Sequence, residues 1–79
     1  MYFTYVLKSL VDNKHYIGST DSVEERLKRH NGGRVKSTAN RRPFELITYF
    51  GFQSKQRAQD LERYLKRGSG RAFLKKRVF

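Results

Sequence analysis

Two tyrosines, an arginine, a histidine and one isolated glutamate are the residues of this chain whose types can do chemistry together. Tyr5 lies in Phe3-Thr4-Tyr5-Val6-Leu7 and Tyr16 in Tyr16-Ile17-Gly18. Arg26 follows ten residues after Tyr16, and His30 follows Arg26 at i+4. Glu62 lies in the strongly basic half of the chain, whose other acids are Asp60 and Glu45. Phenols and an imidazole can move protons, a guanidinium offers a forked donor to a phosphate, and a carboxylate can hold a hard cation. That set suffices for phosphodiester cleavage.

Each residue also has a plainer reading. Aromatic residues are good strand formers, which alone accounts for either tyrosine. Arg26 is equally readable as a solvated helix arginine, paired with Ser22, Glu24 or Glu25. His30 fits a helix C-terminus, where the macrodipole favours a cation, as well as it fits a proton-transfer group titrating near neutral pH. For Glu62, spacing alone favours an i,i+4 ion pair with Lys66, worth about 0.2–0.5 kcal/mol. No carboxylates are spaced for a two-metal clamp, so a water would be activated by a phenol or an imidazole. His15, next to Tyr16 on a strand, points to the opposite face and is a poor candidate.

These residues need a scaffold that brings them together. Residues 2–8 are aromatic and β-branched and read as a strand, Asp12-Asn13 as a turn, and residues 14–19 as the return strand. Side-chain alternation puts Phe3, Tyr5 and Leu7 on one face of the first strand, and Tyr16 and Gly18 on one face of the second. Ser22-Val23-Glu24-Glu25 fits a capping box opening a helix with Val23 and Leu27 as its apolar stripe. Gly32-Gly33, in left-handed conformations, ends it. The free backbone N–H groups of that helix start favour an anion. Residues 34–43 read as a basic, irregular connection with a short helical turn.

Residues 44–52 are nearly all apolar and read as the central, most buried strand. Ser54 caps a second helix whose Ala58, Leu61 and Leu65 face the sheet. Gly68 stops it, and Ser69 or Gly70 starts a last helix anchored by Phe73 and Leu74. The order β-β-α-β-α-α, with helices over one apolar sheet face, predicts a two-layer α+β domain spanning residues 1–79.

Charge defines the partner. The chain has 18 Lys and Arg against 7 Asp and Glu, a net +11. Residues 1–39 carry 7 basic and 4 acidic residues, and residues 40–79 carry 11 and 3. Such a field suits a polyanion, whose bound counterions are released by each phosphate contact. The basic residues read as binding groups are Lys14, Arg34, Lys36, Arg41, Arg42, Lys66, Arg67 and Arg71. No basic helix has a clean Trp/Phe/Leu face, so a membrane partner is not expected. With no cysteine, disulfides and zinc-thiolate sites are excluded, and with two histidines structural zinc is not expected. Six Phe and five Tyr can build a core, which argues against a disordered basic tail. No signal peptide or membrane span is visible, and a cytoplasmic protein is expected.

Taken together, Tyr5 after Phe3-Thr4, Tyr16-Ile17-Gly18 eleven residues on, Arg26 and His30 within Glu24–Asn31, Arg41-Arg42-Pro43, and Glu62 among Ala58, Leu65 and Lys66 resemble the GIY-YIG nuclease domain. The likeness is greatest to its short stand-alone, excinuclease-subunit-like members, and it covers nearly the whole chain. It implies a small three-stranded antiparallel sheet flanked by helices, and DNA hydrolysis with one divalent cation, Mg²⁺ or Mn²⁺. By resemblance, Glu62 binds the metal, Arg26 stabilises the charged transition state, Tyr5 positions or deprotonates the attacking water, and Tyr16 and His30 assist proton transfer. Two departures stand out. Phe3 and Thr4 replace the first motif's glycine and isoleucine, and residues 71–77 hold no asparagine where many relatives have one. Repair and homing relatives take their targeting from appended domains, which implies a protein partner or weak specificity here.

Overall fold

A computed structural model describes residues 1–79. The elements are β1 (Tyr2–Ser9), β2 (His15–Thr20), α1 (Val23–Asn31), a 3₁₀ turn (Ala39–Arg41), β3 (Phe44–Phe52), α2 (Lys55–Leu65) and α3 (Gly68–Arg77). The expected α+β order is therefore present. The hairpin turn is held by Asp12, whose Oδ1 accepts from the Lys14 N–H at 2.9 Å, with Asn13 in the left-handed region at φ 60°.

The sheet order is β2-β1-β3, with both pairs antiparallel. The apolar run 44–52 is thus an edge strand, and the expectation that it is central is corrected. β1 is central instead, with Thr4 through Leu7 all buried. Only Phe44 of the nine β3 residues is buried, so β3 is not the most buried strand either, and its apolar content does not report its place in the ladder. The register also shifts between Val6 and Leu7, leaving Ile47 without a partner on β1. This bulge changes the phase of β3. Phe44 and Leu46 pack with Tyr5 and Leu7, while Ile47 and Phe50 pack with Val6.

The expected two-layer packing is corrected as well. α1 lays Val23 and Leu27 against Tyr5, Leu7 and Phe44 on one face. α2 and α3 lay Leu61, Leu65 and Leu74 against Val6 on the other. Alternation along β1 sorts its side chains between the two layers. Each fully buried aliphatic side chain, such as Leu65 or Leu74, contributes about 1.5–3 kcal/mol. Thr4, on the α2 face, donates its hydroxyl to the Ala58 carbonyl at 2.6 Å, so this buried polar group is satisfied.

The helix ends follow the sequence signals with local differences. Ser22 caps α1, its Oγ accepting from the Glu25 N–H. The reciprocal half of the expected capping box is absent, because Thr20 Oγ1 accepts the Ser22 N–H at 3.1 Å. Gly33 alone is left-handed after α1, at φ 74°, whereas Gly32 is right-handed. Asn31 then bridges to β3, donating to the Phe44 carbonyl and accepting from the Phe44 N–H. Ser54 caps α2 as expected.

Gly68 opens α3 instead of stopping α2, and Phe73 is exposed, leaving Leu74 as the anchor. Gly70 explains the tight turn between the two helices. A Cβ there would collide with the Tyr64 carbonyl oxygen and Leu65 Cα, both backbone atoms that cannot yield. A Cβ on Gly68 meets open space. In urea unfolding, Gly70→Ala is expected to lose about 1–3 kcal/mol through overpacking, while Gly68→Ala stays within about 0.5 kcal/mol of wild type. Equal effects would contradict the close approach at Gly70.

Candidate active site

The site is assembled around the hydroxyl of Tyr5. Tyr5 projects from the central strand toward α1 and pairs with Gly18 on β2. Its ring crosses directly over Gly18, where a Cβ would lie 2.5 Å from Oη and 2.7 Å from Cζ. The glycine of Tyr16-Ile17-Gly18 is therefore a space requirement. It leaves a channel through which the phenol reaches the sheet edge.

Tyr16 follows on the same face, paired with Leu7. Its ring lies 6.2 Å from that of Tyr5 and 4.8 Å from the His30 imidazole, edge to face. α1 supplies the other two groups. Arg26 and His30, one turn apart, both point down at the sheet. Arg26 Nε donates to Tyr5 Oη at 3.4 Å, and His30 Nε2 lies 3.0 Å from the same oxygen. The structure thus brings together Tyr5, Tyr16, Arg26 and His30. His15 sits apart, stacked on Phe79 at 3.8 Å.

Tyr5 and His30 are almost wholly buried, at 1% and 0% exposed. Burial pushes the Tyr5 phenol up to about 12, with the Arg26 hydrogen bond opposing and the charges of Tyr16 and Glu62 adding to the rise. Burial also pushes His30 down to about 4, helped by the positive charges of Arg26 and Arg29. The hydrogen bond to Tyr5 holds Arg26 above its ordinary value. At neutral pH the cluster therefore holds a protonated phenol, a neutral imidazole and a guanidinium. The His30 ring is also gripped from behind, with Nδ1 2.8 Å from Thr38 Oγ1.

Glu62 arrives from α2, on the other side of the sheet, and reaches the same edge. Its Oε1 accepts from Ser19 Oγ at 2.7 Å, and Ser19 is the neighbour of Gly18. Its Oε2 accepts from Lys66 Nζ at 2.7 Å, so the i,i+4 pair exists. Burial works to raise the carboxyl, but the hydrogen bonds from Lys66 and Ser19 outweigh it and hold Glu62 below the ordinary carboxylate range. No cluster of three or more His, Asp or Glu surrounds it. One ionised carboxylate with a hydroxyl beside it fits a hydrated Mg²⁺-type ion, which keeps most of its waters and takes few protein ligands.

A family model for the GIY-YIG catalytic domain matches residues 1–77. The chain belongs to the GIY-YIG family. UPF0213 protein YazA of Bacillus subtilis (strain 168) is similar at 42% identity over 67 residues, covering 84% of this chain and 67% of that protein. UPF0213 protein CPE1444 of Clostridium perfringens (strain 13 / Type A) is similar at 38% over 68 residues, covering 85% and 72%. The solution NMR structure of UPF0213 protein BH0048 from Bacillus halodurans shares the fold with a TM-score of 0.59 at 30% identity, over 99% of this chain and 87% of that one. The three-stranded antiparallel sheet with three helices is thus the fold of short GIY-YIG proteins.

The basic residues divide by environment. Lys14, Lys66 and Arg71 line a groove of about 800 Å³ between β2 and α3, together with Lys75, Tyr16 and Phe79. Arg34, Lys36, Arg42 and Arg67 are exposed. Arg41 is committed elsewhere. Its Nε donates to Asp12 Oδ2 at 2.8 Å and its guanidinium lies over the Phe44 ring, so it staples the loop to the hairpin. Lys66 is tied to Glu62.

Sequence reasoning missed several residues of the site. Arg29 and Lys55 line a cleft of about 330 Å³ with Arg26 and Ser19. Ser19 and Thr38 contact Glu62 and His30, and only their contacts distinguish them from other small polar residues.

The depressed His30 carries a stability consequence. Its folded value lies below its ordinary 6.5, so the unfolded chain binds the proton more readily. The stability from this group is complete above pH 6.5 and falls as pH drops toward about 4, a loss of roughly 3 kcal/mol. Urea unfolding at pH 7 and pH 4 is expected to show this loss in wild type and a shallower one in His30→Gln. Identical pH slopes would mean that His30 titrates normally.

Proposed function

We propose that this chain is a divalent-cation-dependent endonuclease that hydrolyses DNA phosphodiester bonds through a single-metal site. The observation that carries the reading is the convergence on Tyr5 Oη. A neutral imidazole and a guanidinium touch the same phenol oxygen, at the sheet edge reached by the chain's one carboxylate on α2 that faces the sheet.

Tyr5 is the group that meets the attacking water. As the water oxygen bonds to phosphorus, its proton passes to Tyr5 Oη and the phenol's own proton passes to His30 Nε2. A phenol pushed up to about 12 and an imidazole pushed down to about 4 are mismatched for a full proton transfer between them, so the two proton shifts have to occur together with bond formation to phosphorus. Arg26 keeps Nε on Tyr5 and turns its terminal NH₂ groups to the phosphate, where they stabilise the charge that develops in the transition state. Tyr16 packs the imidazole and borders the groove along which the backbone runs. Glu62 would hold the cation, with Ser19 orienting the carboxylate, and when bound the cation neutralises charge on the reacting phosphate.

The exposed cations Lys14, Arg34, Lys36, Arg42, Arg67 and Arg71 are assigned to the DNA backbone, with Arg29 and Lys55 added beside Arg26. Lys66 doubles as the partner of Glu62, and Arg41 acts mainly as a staple. A protein partner would supply targeting. No helix is long and apolar enough to cross a membrane, and a cytoplasmic location fits a DNA substrate. A second reading, a nucleic-acid-binding module with weak or no cleavage, draws on the burial of Tyr5 and His30.

The deciding assay uses supercoiled plasmid and branched and single-stranded DNAs with Mg²⁺, Mn²⁺ or EDTA. Wild type is expected to cut only with metal. Glu62→Ala should lose cleavage while keeping or gaining affinity, since a negative charge is removed. Arg26→Ala should lose roughly 10²-fold or more in turnover. Salt-sensitive binding with no cutting by any protein would select the binding module. Cleavage retained in Glu62→Ala would remove the carboxylate from the site.

A further inference from the structure

The connection between α1 and β3 delivers one buried hydroxyl to the back of the His30 ring. Thr38 is 1% exposed. Its backbone is fixed on both sides, the N–H donating to the Val35 carbonyl at 3.0 Å and its carbonyl accepting from the Arg41 N–H at 2.9 Å. Its Oγ1 lies 2.8 Å from His30 Nδ1 and also donates to the Val35 carbonyl at 3.3 Å.

We infer that Thr38 is a positioning residue that sets the tautomer of His30, holding the proton on Nδ1 so that Nε2 faces Tyr5 as an acceptor. This deepens the nuclease reading and rests on it for its catalytic meaning. The hydrogens at Tyr5 require this arrangement, and the Val35 carbonyl gives the Thr38 hydrogen the outlet that it needs. A threonine hydroxyl has one hydrogen. With that hydrogen directed at the Val35 carbonyl, Oγ1 can only accept from His30, which requires Nδ1–H. At the other end, Tyr5 Oη already accepts from Arg26 Nε–H. Its own hydrogen needs an acceptor, and the polar atom within reach is His30 Nε2 at 3.0 Å.

The opposite tautomer would aim the Nε2 hydrogen at an oxygen that already accepts one, and would strand the phenol hydrogen in a buried site. The Nδ1–H tautomer gives each of these hydrogens an acceptor. The order of donors then runs in one direction. Arg26 donates to Tyr5, Tyr5 to His30, His30 to Thr38, and Thr38 to Val35. A proton leaving the phenol finds an imidazole lone pair already aligned, and Thr38 stabilises the imidazolium that results. A ring nitrogen's role is commonly set by the bond its other nitrogen makes.

The test is ¹⁵N NMR of the imidazole nitrogens in the full-length wild type at pH 7, with Thr38→Val and Thr38→Ser alongside. Wild type is expected to show a protonated Nδ1 and an unprotonated Nε2. Thr38→Ser, which keeps Oγ, should retain that pattern. Thr38→Val, equal in shape but without Oγ, should show a substantial population of the Nε2–H form. A protonated Nε2 in the wild type would overturn the assignment without any variant. So would Thr38→Val retaining the wild-type pattern. In single-turnover cleavage, Thr38→Val should be about 10- to 100-fold slower with unchanged DNA affinity, and Thr38→Ser close to wild type. The expected NMR pattern with no cleavage by wild type would support the tautomer assignment and overturn the nuclease reading.

Discussion

A phenol hydroxyl removed from water must find partners, and at Tyr5 that requirement organises much of the molecule. The oxygen takes a hydrogen bond from Arg26 and faces His30, so α1 must lie on the Tyr5 face of the sheet at one height and rotation. The ring must cross β2, so position 18 carries no side chain. His30 in turn needs a partner behind it, so the loop after α1 folds back to present Thr38. The loop is itself held by Ser9, whose Oγ donates to the Arg41 carbonyl at 2.6 Å, and by the Arg41 pair with Asp12. One buried oxygen thus connects β1, β2, α1 and the connection to β3.

Electrostatics complete the arrangement. In a chain of net +11, burial together with the positive charges of Arg26 and Arg29 pushes the His30 imidazole down to about 4, so the ring stays neutral with one nitrogen open to Tyr5, but as a weak base. The same field makes Glu62 conspicuous. Ser19 and Lys66 hold it ionised at the edge where Tyr5 emerges. The i,i+4 pair with Lys66 and a metal-binding role are not exclusive, because each carboxylate oxygen keeps a second lone pair. Lys66 keeps Glu62 charged and oriented, which a cation ligand requires.

Much of this was legible in the residues. The turn at Asp12-Asn13 sets the hairpin register, and Ser22 and Ser54 mark the helix starts they cap. The grouping of Tyr5, Tyr16, Arg26 and His30 follows from strand alternation and one helical turn. The sheet order was not legible. Apolar content could not separate a central strand from a half-exposed edge strand, and the bulge at Ile47 leaves no mark on composition. Gly70 looked like a helix start, but its role depends on the backbone of α2 lying against it. Thr38 and Ser19 carry no local signal. Each matters because of an atom 8 or 43 residues away in sequence, a distance that only the tertiary fold closes.

The most direct test of the account is metal-dependent DNA cleavage by Tyr5→Phe, measured beside wild type with thermal unfolding of both. The substitution removes Oη and leaves the ring to fill its place against Tyr16, Leu7 and Phe44. The account predicts a folded protein that binds DNA and cleaves at least about 10²-fold more slowly, the scale of losing a proton-transfer group. Wild-type cleavage by Tyr5→Phe would contradict it, and would leave the Tyr5, His30 and Arg26 cluster as a structural network only.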